Sequence, residues 1–281
     1  MSVTVFFAVL LAALCHAGWN AIVKVGLDRF LSVTLIALAA GCVSLIPLPL
    51  VAVPVPPAWP YLAASVALHV GYNLFLIQAY RVGDLGQVYP IARGAAPLLV
   101  SIVAITVIGE ALTVVQMTGV VILVAGVALM SIRGGRDLAR IERSAVAFAL
   151  GTSVFIAGYT IADGLGARAN GSANSYAVWL FLLDGLAMLA VLLIVRGRAG
   201  LRAMRPFWKG GLAGGAMSLT AYWIAIWAMT EAPIALVAAL RETSVLFAAV
   251  ISIIILREPP TRWRVAAAVV IVAGIVLSRI G

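Results

Sequence analysis

The chain has 281 residues, 64% of them hydrophobic and only 10% charged, with a mean hydropathy of +1.15 and a net charge of +9. A soluble domain carries about 25% charged residues, so neither a soluble catalytic domain nor a soluble nucleic-acid-binding module fits. No nucleic-acid partner, metal or cofactor is expected, and the lipid bilayer is the partner this composition demands.

A membrane span needs roughly 20 mostly apolar residues. Ten can be laid along the chain, at about 3–23, 31–52, 60–80, 85–108, 112–132, 144–166, 173–195, 208–229, 234–256 and 265–280. They use nearly all of it, so residues 1–281 read as a single all-α integral membrane domain. Span 1 has no basic residue before it, so a cleaved signal is not expected. Its Cys15, like Cys42 in span 2, reads as a small core residue rather than part of a disulfide or metal site. His16, Asn20 and Lys24 recur every four residues and share one helix face. Lys24 lies near the span end and is expected to snorkel. Pro54, Pro56, Pro57 and Pro60 make a stiff link to span 3, where His69 and Asn73 repeat the four-residue pattern beside Tyr72 and Tyr80.

Gly83-Asp84-Leu85-Gly86 reads as a short turn before span 4, which carries Tyr89, Pro90, Arg93 and Pro97. Span 6 carries Tyr159 and Asp163, the latter near a helix end and expected to be solvated; span 7 carries Asp184. Tyr222 and Trp223 lie about 20 Å into span 8 at 1.5 Å per residue, too deep for an interfacial belt, and Trp223 shares a face with Trp227. Span 9 follows Pro233 and holds Arg241 and Glu242, neighbours that point about 100° apart. A charge at such depth costs about 2.5–3.5 kcal/mol on insertion scales, so Arg93, Arg241 and Glu242 each ask for a reason. Core packing, interhelical hydrogen bonds or a structural salt bridge explains any one of these residues. A shared cavity explains several at once.

The basic residues alternate between connections. Fifteen of the nineteen lie in connections 1–2, 3–4, 5–6, 7–8 and 9–10, while Arg168 and Arg279 alone lie on the other side and Arg93 and Arg241 lie within spans. Basic residues resist translocation, so the rich side is expected to be cytoplasmic and both termini extra-cytoplasmic, in a multi-pass protein of the plasma (inner) membrane.

The chain also repeats itself. Gly109-Glu110, Thr113 and Gly126 correspond to Arg257-Glu258, Thr261 and Gly274 at a constant offset of 148, which also pairs Arg93 with Arg241 and 121–129 with 269–277. Ala17-Gly18-Trp19-Asn20 resembles Ala157-Gly158-Tyr159-Thr160 at an offset of 140. Repeat 1 is therefore expected over 3–132 and repeat 2 over 144–280. Five spans is an odd number, so the second unit enters the membrane inverted. Connections 2–3 and 4–5 have no basic residue while their counterparts 7–8 and 9–10 are basic, as inversion requires. Inverted repeats suit a carrier whose halves exchange conformation around a central site.

The ten spans, the duplicated unit, and Glu110 and Glu258 opening the fifth span of each unit resemble the drug/metabolite transporter superfamily, and within it the EamA-type ten-helix transporters. The resemblance covers about residues 3–280. It implies a secondary transporter, with YddG-like amino-acid exporters as the functional analogy. Many ten-helix relatives keep both termini cytoplasmic, and the inferred orientation here departs from them. Gly119 and Gly126 resemble the glycine pair that mediates dimerisation in small four-helix members, and Ala267 and Gly274 take the same positions in span 10. Spans 5 and 10 are then expected to pack together as a back wall, since small residues let helix backbones approach.

The expected function is secondary active transport of small metabolites, foremost apolar or aromatic amino acids, out of the cell by alternating access. Drugs, polyamines or other metabolites are the alternative substrates, and an integral-membrane enzyme is the less favoured class. No Walker, HExxH, GxSxG or CxxC motif occurs, and no catalytic residue is assigned. The expected substrate site comprises His16, Asn20, His69, Asn73, Tyr222, Trp223 and Glu242, with Arg93 or Arg241. A monomer is expected because one chain holds both repeats.

Overall fold

Hydrocarbon offers no partner to a backbone N–H or C=O, so an apolar chain crossing it must satisfy those groups within its own helices. The computed structural model obeys that constraint. It describes residues 1–22, 27–82, 85–131, 143–255, 257 and 261–281, without the side-chain surroundings of 21–22, 79–82, 85–91, 131 and 255. Lys24, Gly83, Asp84, Arg133, Arg136, Arg140 and Glu258 lie outside the described residues, as do the side chains of Tyr80, Arg81, Tyr89 and Pro90.

The helices are α1 (Val3–Ile22), α2 (Arg29–Ser44), α3 (Trp59–Val82), α4 (Leu85–Val103), α5 (Val114–Ser131), α6 (Arg143–Asn170), α7 (Ala173–Met204), α8 (Trp208–Glu231), α9 (Ile234–Arg241), α10 (Ser244–Ile255) and α11 (Arg262–Ile280), with no strand among the described residues. Side-chain caps start several of them: the carboxylate of Asp28 accepts from Leu31 N at 3.0 Å, and Ser172 and Thr261 play the same part for α7 and α11. Such caps satisfy N–H groups that the first helical turn leaves unpaired. A π turn at Ala104–Ile108 ends α4, and Gly109, at a φ of 77° that favours glycine, closes it.

The single expected span 234–256 is instead two helices. At Glu242 and Thr243 the backbone bonds run to Ala239 O and Leu240 O, three residues back rather than four. The tightened turn separates α9 from α10 and breaks the helix where its charged residues sit.

Six helical stretches among the described residues are long and apolar enough to cross a membrane, one of them running from Ala173 to Glu231, and three shorter apolar helices accompany them. Their outer faces agree. Phe7, Leu11 and Leu14 on α1, and Val265, Val269, Val272 and Val276 on α11, are all exposed; stripes of this kind are unfavourable in water and fit hydrocarbon. Cys42 joins this outer surface and Cys15 is half-buried, both as free thiols. The expectation of a core position for Cys42 is thus corrected: neighbouring Gly41 makes the packed contact, and Cys42 points about 100° away from it.

Small residues set the closest crossings. α5 and α11 pack tightly, and a Cβ on Gly126 would stand 2.8 Å from Ile271 N. Gly119 and Gly274 likewise approach the opposing backbone at Ser278 and Leu123. α2 crosses α7 at Gly41 and Gly185, where a Cβ on either would meet the other's Cα at 3.2 or 3.1 Å. Around these crossings α3 packs on α6 and α8 on α1, while α4 lies against α6, and α9 and α10 lie against α1. The Arg279 guanidinium sits 5.9 Å from the centroid of the Phe6 ring, so the start of α1 and the end of α11 share one end of the molecule. At the opposite, basic end Asp28 faces Arg196 at 3.6 Å.

Candidate functional site

Mid-depth polar side chains from seven helices meet in one cavity of about 120 Å³, of the order of the ~150 Å³ pocket that admits a benzene ring. His16 and Asn20 reach it from α1, His69 and Asn73 from α3, Arg93 from α4, Tyr222 from α8, and Arg241 from the end of α9. Tyr159 of α6 and Phe181 and Asp184 of α7 complete its middle. On α2 the lining runs from Arg29, the first residue of the helix, to Ala40. The cavity therefore extends to the basic end. On α1 the lining begins only at Ala12, leaving about 14 Å of packed helix towards the terminal end at 1.5 Å per residue.

Hydrogen bonds fix several rings and amides. Trp19 Nε1 donates to His16 Nδ1 at 3.3 Å, and Asn20 Nδ2 donates to His16 O at 2.8 Å. His69 Nδ1 lies 3.0 Å from Ser65 O and 3.2 Å from Ser65 Oγ. Its ring stacks on Tyr159, with centroids 4.0 Å apart and planes 21° apart, and meets Tyr222 edge-on at 5.7 Å. Among the described residues Asn73 Nδ2 reaches the weak acceptor Met188 Sδ, at 3.5 Å.

The charges divide into paired and unpaired. Arg93 Nε stands 2.9 Å from Glu242 Oε2, both side chains about 95% buried. This ion pair joins the two halves of the chain, and Glu242 stands behind Arg93 rather than in the cavity wall. Arg241 lies over the Tyr222 ring at 4.6 Å and makes no ion pair or hydrogen bond among the described residues. Asp184 is 91% buried, and its Oδ1 has no hydrogen-bond partner among the described residues.

Two residues differ from their expected surroundings. Asp163 is fully buried rather than solvated, because α6 continues two turns past it to Asn170. Tyr176 and Tyr222 hydroxyls donate to its two oxygens at 3.1 and 2.5 Å, in place of water. Trp223 does not join the cavity lining; its Nε1 donates to Asn174 Oδ1 at 2.8 Å, near the terminal end. Tyr222 and Trp223 are adjacent in sequence, and the 100° helical step sends only the first inward. Arg29, Phe181 and Asp184 are among the wall residues that the sequence expectation left out of the site. A lone carboxylate eleven residues into an apolar helix is the same signal that drew attention to Glu242.

The terminal end is closed by a second polar layer. Glu110 accepts from Ile234 N at 3.0 Å and Ala235 N at 3.4 Å, which places a carboxylate on the N-terminus of α9. The same carboxylate pairs with Arg168 at 2.8 Å. Arg168 donates in turn to Met229 O and Ala232 O, the trailing carbonyls of α8, at 2.9 and 3.1 Å. One ion pair thus satisfies both helix ends of the α8–α9 turn. Asn170 Oδ1 accepts from Val55 N, and Ser175 Oγ donates to Ala52 O, tying the α2–α3 link into the same seal.

Comparison with known proteins agrees with this architecture. The EamA-like transporter family matches residues 3–132 and again 143–280. No curated protein matches the chain. A crystal structure of a protein with 17% sequence identity shares the fold at a TM-score of 0.78, over 99% of this chain and 96% of that one.

Proposed function

The chain belongs to the EamA-like transporter family, a family of membrane transporters of small molecules, and from that premise we propose that it exports amino acids across the inner membrane by alternating access. The observation that carries this reading is the cavity itself. It lies at mid-depth, is lined as far as Arg29 at the basic end, and presents cationic, anionic and aromatic groups together. Such a wall suits a small solute with both charges and an apolar side chain.

Several features support two inverted five-helix units in ten membrane passes. The family matches the chain twice, over its two halves. The stretch Ala173–Glu231 holds two helices, so with the three shorter ones ten passes are available. Exchanging the halves exchanges the α3–α6 contact with α8–α1, and maps the α5–α11 and α2–α7 contacts onto themselves. With the basic end in the cytoplasm, the described state is inward-open and loads from the cytoplasm, while the Glu110–Arg168 layer closes the outside. Export then requires that layer to open as the basic end closes.

Counterflow in proteoliposomes tests the function. Vesicles loaded with unlabelled amino acid are expected to accumulate the labelled form transiently and saturably. Flux without saturation or counterflow marks a channel and rejects the carrier reading.

A further inference from the structure

We infer that Asp184 and Arg241, not Glu242 and Arg93, receive the ammonium and the carboxylate of a zwitterionic amino-acid substrate; the inference rests on the transporter reading above.

The assignment follows from which charges already have partners. Glu242 and Arg93 neutralise each other at 2.9 Å. Asp163 has its two oxygens occupied by tyrosine hydroxyls. His69 is bonded to Ser65 and stacked on Tyr159. Arg29, at the first turn of α2, is engaged as well. Asp184 and Arg241 remain. A buried carboxylate is unfavourable unless something donates to it, yet Asp184 Oδ1 has no donor among the described residues while the residue lines the cavity. Its backbone is fixed beside α2 by the Gly41–Gly185 crossing one residue on, so it cannot readily withdraw. Met188, four residues along the same face of α7, holds Asn73, which places another cavity-lining amide near that carboxylate.

Arg241 is the complementary case. The Tyr222 ring supports its guanidinium through a cation–π contact, which occupies the flat face and leaves the N–H edge without a hydrogen bond among the described residues. That edge matches a carboxylate in bidentate fashion. Tyr222 is also held by Asp163, so the platform under Arg241 is rigid.

One carboxylate and one guanidinium unpaired among the described residues, in a single cavity, form a receptor for one positive and one negative group. A polyamine needs a second free carboxylate, and Asp163 does not supply it. A dicarboxylate needs a second free cation, and the other two arginines of the wall, Arg93 and Arg29, are already engaged. A zwitterion satisfies both groups at once, while Tyr159, Phe181 and Tyr222 face its side chain.

The test uses the purified full chain and a calorimetric screen of the twenty L-amino acids. The best binder is then compared with its decarboxylated amine and its deaminated acid. Asp184→Asn is expected to weaken the amino acid and the amine about tenfold to hundredfold and to leave the acid unchanged. Arg241→Gln is expected to weaken the amino acid and the acid and to spare the amine. Asp184→Glu keeps the charge and is expected to bind the amine and the acid in the wild-type ratio, well above the ratio in Asp184→Asn; an equal loss for all three ligands in Asp184→Asn marks a packing role and overturns the assignment. So does wild-type affinity in Asp184→Asn, or no amino acid bound by the wild type. Counterflow of a singly charged solute by a wild type that binds no amino acid sinks the assignment while the transporter reading stands; absence of counterflow with every solute sinks that reading instead.

Discussion

At the scale of single residues, buried charges in this protein are settled by what faces them. Glu242→Gln removes one member of a pair that is about 95% buried, and truncating one partner of such a pair costs about 3–5 kcal/mol. Thermal unfolding is expected to show that loss in Glu242→Gln, and Arg93→Gln/Glu242→Gln is expected to recover a good part of it. Additive losses in the double variant would show that the two side chains do not act on each other. Tyr222→Phe is a second residue-scale test. It strips Asp163 of one of its two donors and removes the hydroxyl that steadies the ring under Arg241. An unsatisfied buried acceptor costs about 1–3 kcal/mol, to be read as a lower Tm at unchanged helix content. The sequence marks these positions by their cost in hydrocarbon but not by their partners. Arg93 and Glu242 are 149 positions apart, so their pairing is a property of the closed bundle. Asp163 and Asp184 look alike in sequence, yet two tyrosines hold one, and no described residue donates to Oδ1 of the other.

At the scale of helices, local periodicity and small residues carry most of what the structure shows. The Gly119, Gly126 and Gly274 spacing on α5 and α11 corresponds to the closest helix crossing described. Gly126→Leu drives a side chain into the Ile271 backbone and is expected to lower thermal stability by more than an ordinary overpacking, about 1–3 kcal/mol. A bulky residue at Gly109, where nothing lies within 4 Å, meets only the strain of its φ of 77° and is expected to cost less. Wild-type stability in Gly126→Leu would contradict the backbone contact. The break between α9 and α10 escapes a hydropathy reading because both pieces are apolar, and only their junction is charged. Its position depends on Arg93 reaching across for Glu242 and on Glu110 capping the far end of α9, contacts with no local signature.

At the scale of the molecule, the ends differ in charge and in packing. The charge alternation is legible in sequence because it depends only on which connections hold arginine and lysine. The sealed end is not, since it is built from Glu110, Arg168, Asn170 and Ser175 on separate segments. Cysteines introduced at positions 198 and 202 are expected to resist an impermeant maleimide in intact cells and to react once the membrane is opened. Labelling in intact cells would reverse the orientation and make the described state outward-open.

α9 has eight residues and is about 12 Å long at 1.5 Å per residue. Its first peptide groups are held by Glu110, and its last residue is Arg241 in the cavity wall. On the proposed assignment, a solute that draws Arg241 inward would pull, through a helix of little more than two turns, on the same N–H groups that fasten the seal at the terminal end. Cargo and latch would then sit at opposite ends of one lever, and loading the cavity and loosening the far door would be parts of a single displacement.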